Sequence, residues 1–322
     1  MNRIERIGVT WKRSKLEWDM FEKGLSQAEM LEHYREEDLD VDRIIASHDR
    51  QRRNIELLMG DISEAEIIDL LDVERGRINP NVDLLFAIGG DNFFQRCTHQ
   101  FADSYLVGVN SDVRTSFGAI LNFDYDSVHA NLDRILKGDF NAEYWSRIST
   151  SFNGHKIEDT TCTLSLSIKA TDMISRYQLR KGDESEEQKS TGLLLATGAG
   201  SGLGAWYRNA GLYLPMVGAT ILRDPETKVA TSIIPGPYQP LTSFSHIAPE
   251  FRTVTREPFK ADLSHYRWLN LKVSEGEELS LRYWSVHPSE LSIDSINRYE
   301  VKEGDMLKFR VSEKPLKIVG KY

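Results

Sequence analysis

The 322-residue sequence predicts an α/β protein, a doubly wound N-terminal α/β domain followed by a β-rich second domain. Three features carry that expectation. The runs Leu84 to Ile88 and Tyr105 to Val109 are short, uninterrupted and apolar, as strands buried on both faces of a parallel sheet are. Charged, helix-permissive stretches alternate with them, the pattern of a domain whose ligand sits at the strand carboxyl ends. Beyond residue 125 the apolar spacing changes from helical to alternating.

Taken in order, Arg6 to Trp11 reads as the first strand, and Leu16 to Glu36 is charged and helix-permissive. Arg43 to Met59 places Ile44, Ile45, His48, Ile55 and Leu58 near one face of a helix. Leu84 to Ile88 runs through Gly89-Gly90-Asp91-Asn92 into a helix over Phe93 to Phe101, and Tyr105 to Val109 follows as the next strand. Asp126 or Ser127 caps a further helix, with Val128, Leu132, Ile135 and Leu136 on one side and Gly138 as its stop. Then Leu164, Leu166 and Ile168 alternate with polar residues, as do Leu279, Leu281 and Tyr283, and Leu307, Phe309 and Val311. Residues 1–125 therefore form the expected α/β domain and 126–322 the β-rich one, with Lys181 to Lys189 as a charged turn.

Composition narrows the function classes. A net charge of −9 disfavours a nucleic-acid binder, which needs a basic face, and the basic cluster Arg50, Arg52 and Arg53 reads as a solvated helix face. Cys97 and Cys162 lie far apart, without ligand spacing, so neither a zinc ribbon nor a disulfide framework is expected. No apolar run suits a membrane span, and Ile4, Ile7 and Val9 already read as a strand rather than a leader. A cytoplasmic protein without a membrane partner is the expectation. The histidines are scattered, and no metal ligand is singled out.

The turn Gly89-Gly90-Asp91 carries the chemistry. Glycines let an anion approach backbone N–H groups, and a helix N-terminus adds positive potential. A carboxylate there meets repulsion from bound phosphate unless it takes a proton or holds a metal, which makes Asp91 the candidate catalytic group. The bland alternative is a tight turn with an Asp N-cap.

Gly89-Gly90-Asp91 after one apolar strand, and Gly108-Val109-Asn110-Ser111-Asp112 after the next, resemble the NAD kinase family and its mitochondrial-type branch. Trp11 to Trp18 with Lys12, Lys15 and Glu17, Trp145-Ser146-Arg147-Ile148, Gln188-Lys189-Ser190-Thr191-Gly192, and Phe251 to Phe259 with Arg256-Glu257-Pro258 extend the likeness in order along the chain. The resemblance implies a kinase that moves a phosphoryl group from ATP to the 2′-hydroxyl of the adenosine ribose of NAD. Asp91 would be the general base. Gly89, Gly90, Asn92 and Asn110 would serve nucleotide and phosphate binding, with magnesium arriving with ATP and no tightly bound organic cofactor. It further implies a homodimer, a site in the cleft between the domains, and Tyr322 near their junction.

A second glycine-rich loop, Thr197-Gly198-Ala199-Gly200-Ser201-Gly202-Leu203-Gly204, also resembles a dehydrogenase cofactor loop, with Gly200, Gly202 and Ala205 at the right spacing and Tyr177 and Lys181 upstream. Its position, deep in the chain after strands, argues against that. The kinase resemblance assigns Thr197, Gly200, Ser201, Ala205 and Trp206 to the loop that helps hold NAD. Three departures bear on the acceptor. Asn92-Phe93 follows the aspartate, Cys162-Thr163 stands where the family has an Asn-Glu pair, and the loop is longer. A different acceptor, or a non-catalytic nucleotide binder, therefore stays open. Trp206, Tyr207, Tyr213 and Tyr238 suit either adenine stacking or a core. Arg256-Glu257 suits a structural ion pair, Asp294-Ser295 a β-turn, and His48 either the core or the active-site surround.

Overall fold

The computed structural model describes residues 4–170, 172–202, 243–259 and 266–321, which fall into two compact units. Met1–Glu143 with Lys317–Tyr322 form the first, and Tyr144–Leu316 the second. The division comes later than residue 125 for a packing reason. The helix that follows residue 124 gives Val128, Leu132 and Ile135 to the core of the parallel sheet, so it belongs with the strands before it.

The first unit is built in the order β1 (Ile7–Trp11), α1 (Lys15–Lys23), α2 (Gln27–Glu36), α3 (Val41–Asp61), β2 (Glu66–Ile67), α4 (Leu70–Glu74), β3 (Leu84–Gly89), α5 (Asp91–Gln100), β4 (Tyr105–Asn110), β5 (Phe123–Asp124), α6 (Tyr125–Leu136) and β6 (Ala142–Trp145). The sheet runs β2-β1-β3-β4, then the C-terminal strand Leu316–Val319, then β6. Its central pairings are parallel, with Ile7 opposite Leu84 and Leu84 opposite Tyr105. Every residue of β3 is buried, as its unbroken apolar run requires. On one face α3 and α6 pack Ile55, Leu58, Val128 and Ile135 against Val9, Phe86, Ile88 and Val107. On the other, a Cβ on Gly108 would stand 3.0 Å from the Phe94 ring of α5, so this glycine sets how closely helix and strand approach.

Local chemistry explains where the helices begin. Ser14 caps α1 and Ser26 caps α2, each answered by a Glu three residues on, and Gly24 in the left-handed region separates the two helices. The single helical stretch expected over Leu16 to Glu36 is thereby cut in two. The cap of α6 is Asp124 rather than Asp126 or Ser127, while Ser127 supplies the returning bond of the capping box. No helix among the described residues is long and apolar enough to cross a membrane.

Among the described residues, the second unit is a pair of antiparallel sheets. Its elements are β7 (Ile148–Phe152), β8 (His155–Lys156), β9 (Thr163–Ile168), β10 (Ser175–Lys181), β11 (Glu184–Ser190), β12 (Gly192–Ala196), α7 (Gly198–Gly202), β13 (Glu250–Arg256), β14 (Asn270–Ser274), β15 (Leu279–Tyr283), β16 (Ser289–Ile293), β17 (Asn297–Val301) and β18 (Met306–Val311). One sheet runs β11-β10-β15-β18-β7-β8 and the other β14-β13-β12-β9-β16-β17. A single core joins them, with Leu164, Leu166, Leu193 and Leu291 from one sheet meeting Tyr177, Leu281, Leu307 and Phe309 from the other. The alternating triplets seen in the sequence are this inward set.

The stretch Lys181 to Lys189 is not a charged turn. Only its start turns, at Gly182 with φ 59°, and the rest is β11, paired along its length with β10. Polar side chains face inward from this strand: Glu186 accepts bonds from the Arg267 and Trp268 amides, and Gln188 bonds Thr255. Buried polar groups require such partners.

Candidate functional site

In the parallel sheet, β1 lies between β2 and β3, so the chain crosses to one side of β1 and later to the other. Strand carboxyl ends at such a reversal leave a crevice that no crossover helix fills. The Lys12 amide donates to the Ile88 carbonyl at 2.8 Å and ties the exit of β1 to β3 at this point. Beside it, Gly90 opens α5 with no side-chain capping bond. The Phe93 amide bonds the Gly90 carbonyl at 3.0 Å, so it is the amides before it that suit an anion or water, and the helix dipole adds to their pull. A cavity of about 350 Å³ lies here, lined by Lys12, Gly90, Asp91, Asn92, Asp112 and Ser116, among others.

The two glycines divide the work. A Cβ on Gly89 would come within 2.8 Å of the Phe93 ring, so Gly89 makes room for Phe93, whose own side chain is buried. A Cβ on Gly90 would meet only the Ser116 side chain, its hydroxyl at 3.0 Å. Gly90 has φ −107° and ψ 179°, which any residue adopts. Gly90→Ala is therefore expected to fold normally and, with a methyl added at the cavity, to bind ATP about tenfold more weakly. Titration calorimetry beside a melting curve checks both halves of that expectation.

Asp91 is held by backbone. Its Oδ2 accepts the Ala119 amide and its Oδ1 the Ile120 amide, both at 3.0 Å. Each carboxylate oxygen has two lone pairs, so one remains on each. The carboxylate is fixed in plane and direction, and Asp91 is one of the residues that line the cavity. Asn92 is exposed at the same turn.

The loop that supplies those two amides is itself anchored. Asn110 is buried, its Nδ2 donating to the Ser116 carbonyl at 3.0 Å and its Oδ1 accepting the Asp112 amide at 3.1 Å. Both ends of that side chain bond within the loop, and each keeps capacity for one further partner. Asp112, 1% exposed, is the anchor. It accepts Arg50 through Nε and Nη2, both at 3.0 Å, together with the Ser47 and Thr115 hydroxyls and the Arg114 amide. Burial opposes the charge on Asp112, but these bonds outweigh it and bring the pKa down to about 2. Arg50 therefore does not belong to a solvated face, whereas Arg52 pairs with Glu17 and Glu56 at the surface. His48 Nδ1 lies 2.8 Å from the Ser14 hydroxyl, at the cap of α1.

In the second unit, the described part of the glycine loop is locked by its own bonds. The Thr197 hydroxyl donates to the Thr161 carbonyl at 2.6 Å and accepts the Gly200 amide at 3.2 Å. The Ser201 hydroxyl donates to the Gly198 carbonyl and accepts the Phe244 amide. Gly200 admits no side chain, since a Cβ would stand 2.0 Å from the Cys162 carbonyl oxygen. Opposite this loop, Asp294 accepts the amides of Thr161, Cys162 and Thr163. Asp294 and Ser295 both have positive φ, so the expected turn is present, and its carboxylate also organises the Thr161–Thr163 segment. The sequence carried no signal for that second role. Ala205, Trp206, Tyr207, Tyr213, Tyr238 and Tyr322 lie outside the described residues.

Arg256 reaches the Ser167 hydroxyl at 2.7 Å across the sheet. Among the described residues, no three His, Cys, Asp or Glu side chains converge as a metal-binding group.

No family model matches the chain. It is 21% identical over 244 residues to the NAD kinase of Thermoplasma volcanium, covering 74% of each protein. It superposes on the crystal structure of an NAD kinase from Archaeoglobus fulgidus in complex with ATP with a TM-score of 0.58 and 14% identity, covering 98% of this chain and 94% of that one. Against yeast NADH kinase complexed with NADH the TM-score is 0.63, again with 14% identity, covering 100% and 84%. Across so little identity the two superpositions show a shared fold, an α/β domain joined to a β-rich one.

Proposed function

We propose that this chain, which shares the fold of NAD kinases, is a phosphotransferase that moves the terminal phosphoryl group of ATP to the 2′-hydroxyl of the adenosine ribose of NAD. The observation that carries the proposal is the pairing of an uncapped helix N-terminus with a backbone-held carboxylate at the sheet's reversal point. Phosphoryl transfer asks for positioning and charge neutralisation more than for covalent help. The amides at Gly90 to Asn92 hold the donor phosphates. Asp91 takes the proton of the acceptor hydroxyl as the new O–P bond forms, and the bond to the departing diphosphate breaks. That Asp91 lines the same cavity as the turn supports a base close to the phosphates.

The residues fit magnesium carried by the nucleotide. Magnesium brought in on a nucleotide needs few protein carboxylates, and the phosphates themselves would hold it, which would leave Asp91 to act as the base. When bound, the ion supplies charge neutralisation across the donor phosphates.

On the acceptor side, the resemblance assigns NAD to the loop that begins at Thr197, and the likeness to the NAD kinase of Thermoplasma volcanium supports NAD as the acceptor. The likeness to the mitochondrial-type branch rests on Trp11 to Trp18 and Arg256-Glu257-Pro258. A second reading keeps the kinase and changes its acceptor. It is favoured by the Cys162-Thr163 segment, whose amides are occupied by Asp294 where the resembled family offers an Asn-Glu pair.

The test is direct. Purified protein is incubated with magnesium-ATP and a panel of hydroxyl-bearing nucleotides and metabolites, and the products are read by mass spectrometry. NADP formation is the expected result. Phosphorylation of another compound with none of NAD would replace the acceptor and keep the kinase. No phosphorylated product across the panel would leave a nucleotide-binding protein without turnover.

A further inference from the structure

We propose that the outer face of the sheet β11-β10-β15-β18-β7-β8, in the second unit, carries a binding site for the phosphate groups of a small soluble molecule. The inference is independent of the phosphate turn in the first unit. Strand register builds the site. β10 and β15 pair with Arg180 opposite Ser280 and Gln178 opposite Arg282, and β15 pairs with β18 so that Ser280 stands opposite Lys308. The alternate residues Leu179, Leu281 and Phe309 are buried in the core, so Arg180, Ser280, Arg282 and Lys308 share the opposite face. Cross-strand neighbours stand about 5 Å apart. The small Ser280 thus has Arg180 on one side, Lys308 on the other and Arg282 two residues along its own strand.

Charge selects the occupant. The chain has a net charge of −9, yet here three cations surround one serine. Arg180 engages only its Nε, on the Gly182 carbonyl at 3.0 Å. The Arg282 guanidinium lies 6.0 Å from the centre of the Trp284 ring, and neither arginine has a carboxylate partner among the described residues. Lys308 shares Glu278 with Arg310, at 3.3 and 2.5 Å. Further along, Arg176 and Lys189 face each other and raise the local potential. Like charges this close repel, and an anion among them replaces repulsion with attraction. Guanidinium forks match pairs of phosphate oxygens, and the Ser280 hydroxyl is a donor between them.

Arg180, Ser280, Arg282, Lys308 and Gln178 also line a cavity of about 960 Å³, at the upper end of small-molecule sites. Its lining contains acids as well, and these are engaged. Glu277 pairs with Lys181 at 2.9 Å, Glu184 with Arg267 at 3.5 Å, and Glu278 with Lys308 and Arg310. The acids also favour a compact ligand. Glu187 stands opposite Gln178, and Glu278 directly precedes β15, so a nucleic acid or a membrane laid on this face would meet both.

The test titrates inorganic tripolyphosphate by calorimetry into the full chain in phosphate-free buffer. It is repeated with the double variant Arg180→Gln and Arg282→Gln, and with Ser280→Glu, which sets a carboxylate between Arg180 and Lys308. Both variants change only the outer face, and unchanged melting curves check that they fold. Wild type is expected to take up about one equivalent more than Ser280→Glu. In the double variant that equivalent should weaken by about a hundredfold, about tenfold for each arginine. Tripolyphosphate held at the phosphate turn stays in all three proteins, so failure of that site and of this one read separately. Equal uptake by the three proteins, or none by wild type, would overturn the inference. Tricarballylate bound as tightly as tripolyphosphate would overturn the assignment to phosphate. Pelleting of wild type with phosphatidylglycerol vesicles, lost in the double variant, would put a membrane in place of the small molecule and overturn it too.

Discussion

Asp91→Asn is expected to lower turnover by about two to four orders of magnitude, the usual contribution of a general base, while ATP affinity stays within a few-fold. The substitution keeps the size and plane of the side chain and removes its ability to take a proton. It also has a structural consequence. The carboxylate accepts the Ala119 and Ile120 amides on separate oxygens, whereas an amide side chain offers one oxygen and one NH2. One backbone N–H then faces a donor, which costs about 1–3 kcal/mol and lowers the melting midpoint. The two effects separate by temperature. Assayed well below its melting midpoint, the variant stays folded, and a lost base still shows as lost turnover. Activity within tenfold of wild type under those conditions would reduce Asp91 to a clamp on residues 119 and 120.

That dual role marks how far the sequence could be read. The central strands were legible because burial on both faces demands unbroken apolar runs, and Leu84 to Ile88 has nothing else to be. The turn after it was legible because two glycines and an aspartate at a strand-to-helix junction have few uses. What holds the turn was not. Arg50 and Asp112 are 62 positions apart, and nothing in the polar string around Arg50 distinguishes the arginine bonded to a buried carboxylate from Arg52 on the surface. Asn110 was identified as functional, but the bonds by which its side chain organises the loop were not legible. Strand β11 escaped notice for a related reason. Its inward residues are Glu186, Gln188 and Ser190, so the alternation exists in burial and not in hydrophobicity. Polar residues buried by long-range partners leave no periodic trace, and these are the residues that position the candidate site.

Asp112→Asn tests that positioning. At neutral pH the variant is expected to lose about 2 kcal/mol of stability in urea unfolding. The basis is the fall of the Asp112 pKa from 3.8 to about 2 at about 1.4 kcal/mol per unit. Arg50 remains 29% exposed, so water softens the loss of its partner and keeps the figure below that of a fully buried pair. The pH dependence has a definite sign. A carboxyl whose folded pKa is depressed contributes its stability above the unfolded value near 4 and loses it as pH falls towards 2. The gap between wild type and variant should therefore hold from pH 7 to 5 and narrow below pH 4. Asp83, brought to about 2 by its bond from Arg6, also weakens the fold in acid, but it does so equally in both proteins and cancels in the difference. A gap that stays constant to pH 3 would show that the charge on Asp112 is not what anchors the loop. Turnover extends the argument to function. Asp112 anchors the loop that carries the Ala119 and Ile120 amides, and these aim Asp91. Loosening the anchor should lower kcat by about tenfold with little change in KM for ATP, since small misplacements of a base act on the transition state more than on donor binding. A fall in stability with kcat unchanged would separate the anchor from the chemistry, and the aim of Asp91 would then be set by the turn alone.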